Sequence, residues 1–119
     1  MLIQTIKPDF TFTDERGSLT QLVHMGYEQV NVLISKAESF RGGHYHKIST
    51  EIFYVVSGRV HLEAKKGDIT ENYTFSQGDM FEIPPLVVHG MSFDEDCVKV
   101  AMYDICVEKA DGTKDIYSA

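Results

Sequence analysis

The sequence predicts an all-β protein, a sandwich or barrel of about nine or ten short strands. Three observations point there. Val, Ile, Thr, Tyr and Phe are frequent, and these side chains suit a pleated, half-buried surface. Turn-forming Gly, Asp and Ser recur at intervals of roughly 8–12 residues. No stretch carries a 3.6-residue apolar repeat with caps at both ends. With 119 residues and 43% hydrophobic content, the chain suits one domain over residues 1–119 with one core.

The elements follow from alternation. "LIQTI" (2–6) reads as an edge strand, and "SLTQLVH" (18–24) alternates imperfectly because Leu19 and Leu22 are out of phase. "QVNVLIS" (29–35) sets Val30, Val32 and Ile34 on one face. An extended segment precedes the turn-compatible "KIST" (47–50), read as a hairpin. "EIFYVVSG" (51–58) is apolar on both faces, the pattern of a strand buried between two sheets. "RVHLEAKKGD" (59–68) runs to a Gly67-Asp68 turn, and "TENYTFSQGD" (70–79) returns with Tyr73 and Phe75 in phase. "MFEIPP" (80–85) stops at two prolines, "LVVHGMSF" (86–93) follows, and "CVKVAMYDICV" (97–107) is the last long strand. "KDIYS" (114–118) reads as a second edge. Unpaired edges invite association, so pairing with a second subunit is one remedy.

Composition narrows the function. A net charge of -7 argues against a nucleic-acid binder. No apolar run approaches the ~20 residues of a membrane helix, and the N-terminus lacks the pattern of a secretory leader. Two cysteines, Cys97 and Cys106, form no CxxC pair and read as reduced thiols of a cytoplasmic protein.

The chemistry concentrates in "RGGHYHKISTEIFYVVSG" (41–58). His44 and His46 stand at i and i+2 of an extended segment, so both imidazoles leave one face. Glu51 follows the KIST turn, and His89 follows Pro84-Pro85. Imidazole nitrogen and carboxylate oxygen suit zinc, iron, nickel, manganese or copper. Phe53 and Val55 share parity with Glu51, and Met91 with His89, which predicts an apolar wall beside the ligands. His24 and His61 fit neither cluster and read as surface histidines.

These residues resemble the two cupin motifs. The first, G, five residues, HxH, three or four residues, E, six residues, G, is matched by His44, His46, Glu51 and Gly58; Glu38 stands where the leading Gly is expected. The second, G, five residues, PxG, two residues, H, three residues, N, is matched by Gly78, Pro84 and His89; Leu86 replaces the second Gly and Phe93 the Asn. The resemblance implies a double-stranded β-helix or jelly-roll barrel with its core at about 38–104. It also implies one divalent transition metal ion (Zn, Fe, Ni or Mn) on His44, His46, Glu51 and His89.

"FTDERGSLTQL" (12–22) and "FRGGHYHK" (40–47) further resemble the leading motifs of sugar-nucleotide cupins: deoxysugar 3,5-epimerases, 3,4-ketoisomerases and the cupin domain of capsular-polysaccharide hexulose reductases. The last is nearest, sharing an HYH pair, a Glu and a later His around a metal. The resemblance implies an epimerase or isomerase of nucleotide-linked keto-deoxysugars in surface polysaccharide biosynthesis, with Arg41 contacting substrate and a homodimeric assembly. The 3,5-epimerases use the first histidine as base without metal, whereas a metal-bound His44 cannot be a free base. Lys47, Tyr103 and Asp104 are the candidates for that role. Two alternatives stand beside this reading: a metal-dependent small-molecule dioxygenase, and a non-catalytic sugar-binding module.

Overall fold

A computed structural model describes all 119 residues. Twelve strands form and no helix does: β1 (Gln4–Ile6), β2 (Phe10–Asp14), β3 (Gly17–Gln21), β4 (Gln29–Ser35), β5 (Phe40–Tyr45), β6 (Glu51–Ser57), β7 (Arg59–Lys66), β8 (Ile69–Ser76), β9 (Met80–Ile83), β10 (Val88–Ser92), β11 (Cys97–Tyr103) and β12 (Tyr117–Ser118). Two five-stranded sheets, ordered β1-β9-β6-β11-β4 and β12-β5-β10-β7-β8, are antiparallel throughout. They face each other in a jelly roll. Phe53, Val55, Phe81, Ile83 and Ala101 of the first sheet share a core with Val60, Leu62, Ala64, Phe75 and Met91 of the second.

The third sheet is the hairpin β2–β3, closed by a turn in which the Asp14 carboxylate accepts the Arg16 backbone N–H. The sequence reading marked only its second half as a strand. "FTFTD" (10–14) alternates as well, with Phe10 and Phe12 on one side, yet both stay exposed.

Two expectations need correction. "KIST" is not a hairpin: β5 and β6 lie in different sheets, so residues 46–50 cross from one to the other. Glu51 therefore meets the histidines across the barrel, not beside them. The apolar outer face of β6 is not buried by a second sheet. Its Ile52, with Met80 and Met102, is covered by Leu22, Val23 and Tyr27 of the segment after β3, and Tyr54 packs there too. Val30, Val32 and Ile34 do share one face of the edge strand β4, and it is the outer one, 60%, 67% and 67% exposed. Ser35 and half-buried Leu33 turn inward instead.

Two backbone positions explain the departures from the glycine motif. Glu38 and Leu86 are the only non-glycine residues with positive φ, at 66° and 71°. These are the two motif glycine positions that this chain fills with another residue. The left-handed backbone is thus kept without glycine, at roughly 1–2 kcal/mol per residue. Backbone hydrogen bonds hold each in place, Glu38 N–H to the Phe93 carbonyl at 2.8 Å and Leu86 N–H to the His46 carbonyl at 2.7 Å.

Candidate metal centre

His44 is the last residue but one of β5, His46 opens the crossover, Glu51 begins β6 and His89 lies on β10. Their ligand atoms all fall within 4.8 Å of one another. His44 and His89 are cross-strand partners, with ring centroids 4.5 Å apart. Between this pair and Gly90–Gly42 the register slips by one residue, a bulge that re-aims His44. Gly42 permits the slip: it has φ 117°, and a Cβ there would stand 2.6 Å from the His89 carbonyl oxygen. The first glycine of "RGGH" therefore answers to backbone crowding against β10.

Each buried imidazole is oriented from behind. His46 Nδ1–H donates to the Asp115 carbonyl at 2.6 Å, and His89 Nδ1–H to the Val87 carbonyl at 3.0 Å. Both rings then turn Nε2 toward Glu51 Oε1, at 3.1 Å from His46 and 3.3 Å from His89. His89 Nε2 is buried and has no hydrogen-bond partner. This arrangement fits a cation. Ligand bonds of about 2.0–2.2 Å set neighbouring tetrahedral donors about 3.3–3.6 Å apart, close to these spacings. Carbonyl-bound Nδ1–H groups also present Nε2 as a lone pair, the usual support behind metal-bound histidine.

Without an ion the charges settle among themselves. Burial opposes the charged form of Glu51, but the His46 hydrogen bond and the close approach of the His89 ring prevail and hold its carboxyl at about 2. Burial also opposes a charged His46, but Glu51 and the Asp115 carbonyl outweigh it and raise its pKa. His44 is pushed down to about 4, by burial first and then by His89.

Asp115, which the sequence reading did not single out, organises the crossover. It is buried, and its carboxylate accepts the backbone N–H groups of Lys47, Ile48 and Ser49, each at 2.9 Å. Nothing in "TKDIYS" signals this, because the acceptor and its donors lie 66 to 68 residues apart.

Arg41, Gly42, Leu33, Phe53, Met91, Lys99 and Tyr103 join three of the ligands around a cavity of about 340 Å³. Of the base candidates, Tyr103 alone lines it. Burial and the Glu51 charge raise the Tyr103 pKa, so the phenol keeps its proton. Lys47 is exposed and lies 4.2 Å over the Tyr117 ring. The Asp104 carboxylate caps the Thr50 and Ile105 N–H groups, both at 2.7 Å. His24 pairs with Asp9, and His61 with Thr74 and Asp94, at the surface.

Comparison with curated proteins gives no match. Among solved structures, the 3,4-ketoisomerase QdtA from Thermoanaerobacterium thermosaccharolyticum, in complex with TDP-4-keto-6-deoxyglucose, superposes with a TM-score of 0.82 over 99% of this chain and 88% of that chain, at 20% identity. The dTDP-4-dehydrorhamnose 3,5-epimerase from Sulfolobus tokodaii gives 0.71 over 87% and 70%, at 24% identity. The capsular polysaccharide assembling protein CapF from Staphylococcus aureus gives 0.68 at 27% identity, covering 92% of this chain but 33% of CapF. The first two establish the shared jelly roll. A family profile, polysaccharide biosynthesis C-terminal domain, matches residues 12–103. By that match the chain belongs to the polysaccharide biosynthesis C-terminal domain family.

Proposed function

We propose that the chain is an epimerase or isomerase of nucleotide-linked keto-deoxysugars in surface polysaccharide biosynthesis, with one divalent transition ion on His44, His46, Glu51 and His89. The observation that carries this reading is a single cavity lined both by three members of the His/Glu cluster, His44, Glu51 and His89, and by Arg41. An ion bound there supplies a Lewis acid for a carbonyl oxygen. The protein's own part is orientation. Arg41 offers two parallel N–H donors to a diphosphate, a local cation on a chain of net charge -7. Phe53, Met91 and Leu33 give the sugar an apolar wall that limits water. Relatives of the same fold include enzymes solved with TDP or a TDP-keto-sugar, which supports this substrate class.

The same reading includes a homodimer in the cytoplasm. Outward Val30, Val32 and Ile34 sit on the unpaired edge strand β4, a surface that a second copy would cover. The two cysteines are unpaired, as reduced thiols are. Sedimentation of the wild-type protein reads out the assembly, and a monomer at micromolar concentration removes that part.

The test uses TDP-4-keto-6-deoxyglucose in D₂O with metal-replete protein. One ion per chain is expected, lost in His46→Ala and Glu51→Ala, with deuterium entering the sugar beside its carbonyl. Arg41→Ala keeps the ion and weakens binding about tenfold, close to 1.4 kcal/mol. Full occupancy in both ligand variants excludes the ligand set. Binding without exchange leaves a sugar-binding module, and bound iron with oxygen uptake makes the protein a dioxygenase.

A further inference from the structure

One charged side chain of the cavity has no task in the reading above. Lys99, on β11, is 1% exposed and faces the barrel interior with Ala101 and Tyr103. No carboxylate stands within ion-pair distance of it. Its Nζ donates only to Met91 Sδ, at 3.1 Å, and lies 4.8 Å and 4.7 Å from the ring centroids of Phe53 and Phe93. An ammonium enclosed by a thioether and two aromatic faces lacks the paired anion that a buried charge requires. A methionine would fill the same sleeve without that cost. A position that breaks the packing rule so plainly belongs to function.

The composition of the cavity says which function. Three of its lining residues, His44, Glu51 and His89, belong to the metal cluster. Leu33, Gly42, Phe53 and Met91 carry no exchangeable side-chain proton. Arg41 is a guanidinium, which does not serve as a base, and the Tyr103 phenol is held protonated by burial and Glu51. Lys99 remains. The charged and titratable groups that act on it are Cys97 on its own strand, Glu51 on β6 and Arg41 on β5; burial, with Arg41 on its side, outweighs Cys97 and Glu51 and lowers its amine to about 8. Spacing agrees. Phe53 is two residues from Glu51 and Met91 two from His89, so the sleeve lies one same-face step, about 7 Å, from the ligand cluster. A carbonyl group and its neighbouring C–H bond fill such a gap.

We propose that Lys99 is the acid–base catalytic residue of this cavity, the group that moves the proton on the carbon next to the substrate's carbonyl. This rests on the isomerase reading. The C–H bond breaks and an N–H bond forms, turning the neutral amine into an ammonium. The released electron pair becomes a C=C bond, and the carbonyl π pair moves to oxygen, giving an enolate. Return of the proton from the ammonium to carbon restores the carbonyl and the amine, with no net oxidation or reduction.

The experiment has two arms on zinc-loaded protein. In the first, Lys99→Met is compared with wild type for deuterium uptake into TDP-4-keto-6-deoxyglucose. The variant is expected to exchange at least about 100-fold more slowly, with unchanged zinc, a probe dissociation constant within about threefold, and a Tm equal or higher, since it completes the apolar sleeve. Exchange at the wild-type rate overturns the proposal. In the second arm, NMR of the lysine Cε–Nζ group follows the Lys99 titration without substrate. A midpoint near 8 supports the role, and one above about 10 overturns it. A wild-type protein that does not exchange this probe, yet titrates near 8, refutes the choice of sugar and leaves Lys99 supported.

Discussion

On β6 the inward side chains run Glu51, Phe53, Val55, and on β10 and the residue after it they run His89, Met91, Phe93. In each strand the first residue stands in the ligand cluster and the others form apolar core or wall. A step of two residues separates a site whose every polar atom must be placed from a core that needs only volume. The cluster is fixed by directional bonds from Asp115 and Val87. The core is fixed by stacking: the Phe75 and Phe81 rings lie 4.0 Å apart, and Phe53 stacks on Phe81 at 5.4 Å. One alternating pattern thus serves both, and they should fail independently.

The strongest challenge to that separation is Phe81→Ala. Phe81 is fully buried in the stack, so truncation should cost about 3–5 kcal/mol in urea unfolding. Under the proposed ligand set, the folded fraction should still bind one ion per chain with unaltered affinity. A tenfold loss of metal affinity would mean that the aromatic end also positions the ligands.

An acid titration sharpens the comparison from the other side. In the metal-free protein the His44 pKa is lowered to about 4, from an ordinary value near 6.5. Between those values the unfolded chain binds the proton and the folded chain does not, so stability falls as pH falls from about 6.5 toward 4. From pH 7 to 4.5 this amounts to roughly 2 kcal/mol. His44→Gln should flatten the slope by that amount. An identical slope in both proteins would place the acid sensitivity elsewhere.

The smallest effect concerns the loop before His89. Leu86 is half exposed and has φ 71°. Leu86→Gly should relieve the left-handed strain with little packing lost, and raise stability by about 0.5–1 kcal/mol. A decrease would show that Leu86 contributes packing that its exposure conceals.

Much of this architecture could be read from the residues. "QVNVLIS" maps onto β4 end to end, because seven residues of clean alternation leave no doubt about phase. The histidine pair, Glu51 and His89 stood out because their spacing matched a motif. The rest was hidden for physical reasons. Alternation gives phase but not direction, so the Val30 stripe could face either way. A turn-compatible tetrapeptide does not reveal whether the strand after it pairs with the one before, and here it crosses to the other sheet. Lys99 sits in "CVKVAMY", where a lysine between valines reads as a solvent-facing position until the partner strand shows that its side is the inner one. Asp115 lies in a polar tail, and only the folded chain brings it to the crossover.

That tail has a consequence for how the protein is made. His46 takes its orienting acceptor from a residue 69 positions further along the chain, and the same residue ties down the next three amides of the crossover. During translation, a nascent chain that already contains all four ligating side chains still lacks the piece that aims one of them. Under the proposed ligand set, ion capture should therefore trail synthesis of the barrel strands, becoming tight only once Asp115 has left the ribosome and docked.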